Sequence, residues 1–189
     1  MISLRSITKI YEGRERQLYG LLTVVGAIGA VVCYLLFIPS TLLMADTSYN
    51  IWDFQFAFTA GRMDQILTAW AGINDDVMGQ MAVDLFFPIF YGMFLGGLSL
   101  LVVPLLPPRY QNWSRYLLTA SVWASFLDEV ENIFSIYILS NPSTYLPESV
   151  LLMSVCASLK YLLIILVITS LALAGLSLAK ARLARPRTS

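Results

Sequence analysis

Long apolar runs dominate the chain, and four of them are long enough to cross a membrane. About 20 apolar residues span the ~30 Å hydrocarbon core of a bilayer. The runs lie at approximately 18–43, 83–106, 113–139 and 149–178, and the last is long enough to tilt or protrude. This pattern predicts an all-α, four-transmembrane-helix bundle that forms one integral membrane domain over residues 1–189.

The first run has a second interpretation as a secretory signal peptide, since Arg14 and Arg16 precede it. A signal peptide has an apolar region of only about 7–15 residues, followed by a cleavage site with small residues. The run over 18–43 is longer, and no clear cleavage site follows it. We therefore interpret it as an uncleaved helix.

Basic residues orient the predicted helices. Ten of the twelve lie in three segments that a four-span chain must place on one side of the membrane. They are Arg5, Lys9, Arg14, Arg16, Arg109, Arg115, Lys180, Arg182, Arg185 and Arg187. By the positive-inside rule, both termini are expected in the cytoplasm.

The connection 45–82 should then lie outside, and it carries two patterns. Aromatic residues first alternate with other residues, which is typical of a strand with one aromatic face. These aromatic residues are Trp52, Phe54, Phe56 and Phe58. Helical spacing follows at Met63, Ile66, Leu67 and Trp70. We expect an outer amphipathic helix from about Thr59 to Gly72, between the first and second spans, which either anchors at the membrane surface or covers a cavity as a lid.

Composition agrees with a membrane protein and excludes several kinds of function. Hydrophobic residues make up 58% of the chain and charged residues 13%, whereas soluble domains carry about a quarter charged residues. The formal net charge is zero, so no overall field would attract nucleic acid. The expected surroundings are a lipid bilayer, and no nucleic-acid partner is predicted.

The residue types also limit the chemistry. The chain has no histidine and two cysteines, Cys33 and Cys156, which both lie in apolar runs and are interpreted as buried hydrophobic residues. This content supports neither a disulfide framework nor a zinc site. No glycine-rich phosphate loop is present. We therefore predict no cofactor and no bound metal.

The third run carries a polar stripe, which is the main candidate for a site. Ser121, Ser125, Asp128, Asn132 and Ser135 follow one another at steps of four, three, four and three residues. Glu131 lies one helical turn from Asp128, whereas Glu129 points about 100° away from it. Carboxylates near the middle of a span cost several kcal/mol unless they are paired or face water. We expect them to face the interior of the bundle.

Lys160 is the candidate partner for these carboxylates. It lies about as far into the fourth run as Asp128 lies into the antiparallel third run. An ion pair of Lys160 with Asp128 or with Glu131 would satisfy one carboxylate. The others should be protonated, hydrogen-bonded or in contact with water, and Asn132 could donate to one of them.

The second run adds polar residues on one helical face. Asp84, near the outer end, is followed by Pro88 and by Tyr91, which should lie level with Glu131. Pro88 can kink the helix and free a carbonyl group. Two small-residue steps that permit close helix packing are Gly92 with Gly96 and Gly26 with Ala30.

Two short motifs resemble those of a family. Residues 84–92 resemble an Asp-x-x-Phe-Pro-x-x-Tyr-Gly motif, and residues 128–132 resemble an Asp-x-x-Glu-Asn motif. Together they resemble a group of small, uncharacterised bacterial four-helix membrane proteins, over about half of the chain from Trp52 to Asn132. The resemblance implies a four-helix bundle in the bacterial cytoplasmic (inner) membrane, and it implies no mechanism.

The first hypothesis is a binding or accessory protein. Its polar cluster would hold a lipid, a small polar ligand or a partner helix, possibly within a membrane protein complex. The cluster comprises Asp84, Tyr91, Asp128, Glu131, Asn132 and Lys160.

Three alternatives remain open. An intramembrane enzyme could use Asp84, Asp128 and Glu131 for acid–base chemistry, or for Mg²⁺- or Ca²⁺-assisted chemistry, on a lipid. The stripe could be a proton or ion pathway, or it could only fix the helix register. Since no recognised catalytic motif is present, we favour a protein that is not an enzyme.

Overall fold

The computed structural model describes residues 4–110 and 112–183, with side chains from residue 13 onward. Within these ranges the chain is helical and contains no strand, which confirms the all-α prediction. The helices are α1 Leu4–Ala45, α2 Ile51–Gln55, α3 Ala60–Ala69, α4 Asn74–Asp84, α5 Phe87–Val102, α6 Trp113–Ser140 and α7 Pro147–Leu183. Short 3₁₀ turns at Val103–Leu105 and Pro108–Tyr110 connect α5 to α6.

Three segments among the described residues are long and apolar enough to cross a membrane: Gly13–Ala45, Asn74–Leu105 and Pro147–Leu183. The second segment begins at Asn74 rather than near Val83, because α4 already forms its first turns. Helix α6 is also long enough, but it is less apolar because Asp128, Glu129 and Glu131 lie within it. Three helices therefore have the length and composition of membrane spans.

The four long helical units pack mainly against their neighbours in the chain. The most extensive packing joins α1 to α5, α5 to α6, and α6 to α7. Helix α1 also contacts α4, but it makes no comparable contact with α6 or α7. Helices α5, α6 and α7 thus form a three-helix core, and α1 packs against the far side of α5.

Glycines bring α5 close to both neighbours. A Cβ atom at Gly26 would collide with the α5 backbone, and one at Gly97 would press against Thr23 of α1. On the other side of α5, a Cβ at Gly92 would collide with Ser125 of α6. Small residues allow this approach, which brings the backbone of α5 within reach of polar side chains on α6.

The prediction of a strand around residues 52–58 was wrong, because a capping box starts a helix there. The Asn50 side chain accepts hydrogen bonds from the N–H groups of Trp52 and Asp53, and the Asp53 side chain accepts one from the N–H of Asn50. The resulting helix α2 points Phe54 into the core, whereas Trp52 is 54% exposed. The aromatic residues therefore do not share one face.

Helix α3 carries the apolar face that the spacing predicted. Thr59 caps it by accepting a hydrogen bond from the N–H of Arg62. The four apolar side chains are buried against residues of α2, α6 and α7, and they are Met63, Ile66, Leu67 and Trp70. We call residues 46–73 the cap segment, because they cover the end of the core where α6 meets α7.

Other predictions have mixed outcomes. Both cysteines are free, but only Cys33 is buried and Cys156 is half-buried. Helix α7 extends to Leu183, beyond the predicted end of the fourth run. The side chains of Arg5 and Lys9 and the residues Arg185 and Arg187 lie outside the described part of the chain.

Candidate functional site: a buried polar cluster

The site begins at a break between α4 and α5. Pro88 has no N–H group, so the carbonyl oxygen of Asp84, four residues earlier, has no helical donor. Helix α4 ends at Asp84, and α5 begins at Phe87. The side-chain amide of Asn132 on α6 donates to this carbonyl at 3.1 Å. Asn132 therefore binds the freed backbone group, rather than a carboxylate as the sequence had suggested.

Two serines of the stripe also satisfy backbone groups. The Ser125 hydroxyl is 2.8 Å from the carbonyl oxygen of Pro88 and 3.1 Å from that of Ser121. The Ser121 hydroxyl donates to the Leu117 carbonyl at 2.8 Å. Ser125 therefore links α6 to α5, whereas Ser121 bonds within α6, and neither serine hydroxyl donates to a carboxylate.

Lys160 bridges two carboxylates of α6. Its Nζ lies 2.5 Å from Oδ1 of Asp128 and 2.5 Å from Oε2 of Glu131. The contact with Asp128 is also a hydrogen bond, whereas the contact with Glu131 lacks hydrogen-bond geometry. Asp128 and Glu131 are one helical turn apart, so a single ammonium group can reach both.

These charges are removed from solvent. Lys160 and Asp128 are each 3% exposed, and Glu131 is 0% exposed. Because isolated buried charges are costly, these side chains depend on the contacts that they make with one another. The contact itself is the one that matching depth on α6 and α7 predicted.

Several buried acceptors near this bridge have no hydrogen-bond donor among the described residues. They include Oε1 of Glu131 and Oδ1 of Asn132. The Tyr91 hydroxyl is also without a well-oriented hydrogen bond, although Asp128 and Ser125 lie beside it. Buried polar groups are normally satisfied, so these are the groups of the cluster that have capacity for a further polar contact.

Asp84 adds a further acidic group at the edge of the cluster. Its side chain is 9% exposed, and it lies close enough to interact electrostatically with Asp128 and Lys160. Three carboxyl groups thus share one lysine. Glu129 is only half-buried, consistent with its different direction on α6. Among the described residues, the cluster therefore has more acidic groups than Lys160 alone can neutralise.

Apolar groups close the cluster on both sides along the helices. Toward the cap segment lie side chains such as Met153, Ile138 and Phe54. Toward the other end lie Leu95 and Ala124, together with further apolar residues of α5, α6 and α7. A polar layer between two apolar layers experiences a low dielectric, which strengthens its internal electrostatics.

The sequence analysis missed two residues beside the cluster, Tyr161 and Gln55. Nζ of Lys160 lies 4.9 Å from the centroid of the Tyr161 ring, and the Tyr161 hydroxyl donates to Oε1 of Gln55 at 3.0 Å. The Tyr161 ring also packs against Trp52 of α2. A buried glutamine among aromatic residues was the available signal. Through this contact the cap segment reaches the polar cluster.

The described side chains do not favour metal chemistry. No group of three or more His, Cys, Asp or Glu side chains in the described part of the chain is arranged to hold a metal ion. Cavities of about 750 and 320 Å³ occur elsewhere, and neither is lined by Asp128, Glu131 or Lys160. The cluster is a tightly packed acidic site.

Comparison with known proteins adds no relative. No protein-family model, curated protein or solved structure matches this chain. The resemblance of the Asp84–Gly92 and Asp128–Asn132 motifs to a bacterial group therefore stays a prediction. Function has to be argued from the geometry of the cluster itself.

Proposed function

We propose that this chain crosses the bacterial inner membrane four times, with both termini in the cytoplasm, and that α6 is the third span. At 28 residues, α6 is about 42 Å long, which exceeds the hydrocarbon thickness. Its charged side chains Asp128 and Glu131 face α7, whereas Phe126 and Ile133 are more than half exposed. An apolar outer face with inward charges is the arrangement that lipid requires.

In this topology the cap segment lies on the outer side of the membrane and covers the polar cluster. The opposite end of the helices carries Arg109, Arg115, Lys180 and Arg182. Basic residues at the cytoplasmic end agree with the positive-inside rule.

The protein would function by binding. In this proposal the polar cluster receives a hydrogen-bond donor, preferably positively charged, from a lipid, a small polar ligand or a partner helix. The observation that carries the proposal is the set of buried acceptors without donors, Oε1 of Glu131 and Oδ1 of Asn132, next to a surplus of acidic groups. A donor placed there would satisfy both atoms and reduce the charge imbalance.

Access would come from the Asp84 side. Asp84 is the most exposed carboxylate of the cluster, and it lies at the break where α4 gives way to α5. Leu85 and Phe86 lie between the two helices, and three backbone hydrogen bonds link them to Met81, Val83 and Phe90, so an opening at this point would require few bonds to break. The Asn132 bond to the Asp84 carbonyl would hold this entry closed.

The alternatives receive less support. A through-going proton or ion pathway would need a chain of polar groups in the cytoplasmic half. The described part of that half of α6 offers mainly Ser121 and Ser125, among apolar residues such as Leu117 and Ala124, and the hydroxyls of both serines bond to backbone carbonyl groups. An enzyme would use Asp128 and Glu131 as its acid and base, but Lys160 already contacts one oxygen of each of these carboxylates. A ligand-independent network that fixes helix register is the alternative against which the experiment must decide.

The test compares Glu131→Gln with Glu129→Gln in the full chain, purified in mild detergent. Both variants neutralise one carboxyl group of α6, but only Glu131 lies within the cluster. Native mass spectrometry would identify the lipids, small molecules and proteins that each form retains. We expect wild type and Glu129→Gln to retain a species that Glu131→Gln releases about tenfold more readily, because a hydrogen bond to a charged group contributes about 1.5–3 kcal/mol.

Two results would contradict the proposal. Glu131→Gln could melt at a lower temperature than wild type and yet retain the same species, which would make the cluster structural only. The three forms could also retain no specific species at all.

A further inference from the structure

A second site lies at the opposite end of the helices, where α5 is shorter than its neighbours. Pro104, Pro107 and Pro108 end the α-helical path of α5 and turn the chain toward α6. Helix α7 continues to Leu183 without this neighbour. A groove of about 750 Å³ results between the turn, the start of α6 and the end of α7. We call it the base groove.

The lining of the base groove is mainly apolar, with Ser170 and Ser177 of α7 as polar exceptions. Val103, Leu117 and Ala174 are buried and line its inner wall, and Leu173 lines its outer part. Its volume falls within the range of about 300–1,000 Å³ that is usual for ligand sites. An extended hydrocarbon chain is the kind of group that this lining accommodates.

The mouth of the base groove is basic. Arg109 lines it, is exposed, and has no carboxylate within ion-pair distance among the described residues. Its guanidinium carbon lies 4.7 Å from the ring centroid of Tyr110, which orients the side chain. Lys180 and Arg182 extend from the last turn of α7, next to the groove-lining Ala181. The mouth is therefore complementary to an anion.

Aromatic residues indicate that this mouth lies at the level of the membrane–water interface. Tyr110 and Trp113 line the groove and are 37% and 52% exposed, and the nearby Tyr116 is 70% exposed. Tyrosine and tryptophan gather at membrane–water interfaces. A basic group at that level, above an apolar groove, matches an amphiphile whose anionic head lies at the interface.

We propose that the base groove binds an anionic glycerophospholipid, with its phosphate at Arg109 and an acyl chain between α6 and α7. The proposal rests on the membrane placement given above, but it uses none of the residues of the polar cluster. Arg109 recognises phosphate through paired N–H donors, and Lys180 and Arg182 add a nearby positive field. A zwitterionic lipid would gain less from this field, which makes the site selective for net negative charge.

The experiment uses the full chain in detergent with equal amounts of phosphatidylglycerol and phosphatidylethanolamine, read by native mass spectrometry. Arg109→Gln removes the charge at the groove, and Arg115→Gln removes an exposed charge nearby that does not line it. We expect wild type to retain phosphatidylglycerol preferentially. Arg109→Gln should lower that preference about fivefold, since a basic residue near anionic lipid contributes about 1 kcal/mol, and Arg115→Gln should change it little.

A second variant, Ala174→Phe, fills the apolar part and leaves every charge in place. It should also reduce phosphatidylglycerol retention, with a melting temperature close to that of wild type as the check on folding. Equal retention of both lipids by wild type would overturn the proposal. So would equal effects of Arg109→Gln and Arg115→Gln, or normal binding by a folded Ala174→Phe variant, because the lipid would then sit on the surface rather than in the groove.

The outcome is separable from that of the binding proposal for the polar cluster. Glu131→Gln should leave phosphatidylglycerol retention at the base groove unchanged. If Glu131→Gln and Arg109→Gln release the same lipid, the two sites are not independent, and the base-groove assignment fails.

Discussion

The two ends of the helical core are closed in different ways. At one end the cap segment packs Phe54, Met63 and Trp70, which are all fully buried, into one apolar cluster with residues of α4, α6 and α7. At the other end nothing in the described chain fills the space that opens where α5 stops, and Trp113 and Leu173 remain more than half exposed. The same pair of helices, α6 and α7, is thus sealed by protein at one end and open at the other.

This difference explains where the charges lie. The polar cluster is found on the cap side of the leucine- and alanine-rich layer, beneath the sealed end. Sealing removes water, so the buried ions depend on one another, and the fold there should be sensitive to single substitutions. The open end has few buried contacts to lose, so substitutions there should cost little stability, and the lipids that it binds should be able to exchange.

The largest expected effect comes from the lysine beneath the cap. Lys160→Met leaves Asp128 and Glu131 without a cation, and breaking a buried ion pair costs about 3–5 kcal/mol. Lys180→Met, at the exposed end of the same helix, should have no measurable effect. Reversible unfolding in detergent would give both values.

Replacing the partners as well should reverse the loss. Because Lys160 contacts two carboxylates, the rescue requires Lys160→Met together with Asp128→Leu and Glu131→Leu. The triple variant should recover much of the lost stability. A Lys160→Met variant as stable as wild type would contradict the ion bridge, and so would a triple variant no more stable than Lys160→Met.

An apolar truncation compares the two ends directly. Met63→Ala creates a cavity in the fully buried cap core and should cost about 2–5 kcal/mol. Leu105→Ala, beside the base groove, removes a side chain that is 49% exposed and should cost much less. Equal losses of unfolding free energy for the two variants would remove the distinction between a sealed and an open end.

A substitution at the break between α4 and α5, which we call the joint, should have an intermediate effect on the unfolding free energy. Asn132→Leu removes the hydrogen bond to the Asp84 carbonyl and leaves that carbonyl unsatisfied, at a cost of about 1–3 kcal/mol. Amide hydrogen exchange at residues 85–90 should accelerate, because the joint is no longer tied to α6. Unchanged exchange there would show that Asn132 does not hold the joint.

The smallest expected effect is a pH dependence of stability. It arises at Tyr145, which lies in the loop between α6 and α7 and contacts α3 of the cap segment. Tyr145 donates a hydrogen bond of 2.5 Å to the Asp64 carboxylate. Burial, and then this bond to Asp64, raise the pKa of the Tyr145 hydroxyl above its ordinary value of about 10. Folding therefore favours the neutral hydroxyl, and its contribution is complete below about pH 10 and is lost as pH rises through the raised pKa.

Melting temperatures of wild type and Tyr145→Phe between pH 8 and pH 11 would measure this effect. Wild type should be more stable at pH 8, and the gap should narrow toward pH 11. Tyr116→Phe, which alters an exposed hydroxyl at the opposite end, is the control. A gap of constant size over this range would show that Tyr145 ionisation does not matter.

The sequence predicted the parts of this architecture that follow from periodicity and depth. The three-to-four spacing of Asp128 and Asn132 fixed their common face, and counting along antiparallel runs placed Lys160 opposite them. Pro88 predicted a break for a covalent reason, the missing N–H group.

Other features depend on tertiary packing, or on a local capping interaction that overrides the periodic pattern, and periodicity alone does not reveal either. The alternation of Trp52 and Phe54 suggested a strand, but the Asn50 cap favoured a helical turn. The position of α1, which packs mainly against α5 among the core helices, depends on close approach at Gly26 and Gly97. The base groove arises because α5 and α7 end at different levels, which no pattern within either helix indicates.

The central claim is that α6 is a membrane span whose charges are buried within the protein. It is tested most directly by thiol labelling of intact cells, with Cys33 and Cys156 replaced by alanine and single cysteines introduced as Ala60→Cys and Ala181→Cys. A four-span chain places these two positions on opposite sides, so an impermeant reagent should label position 60 from outside and position 181 only after lysis. If α6 does not cross, three spans place positions 60 and 181 on the same side, and labelling of both from outside would contradict the account.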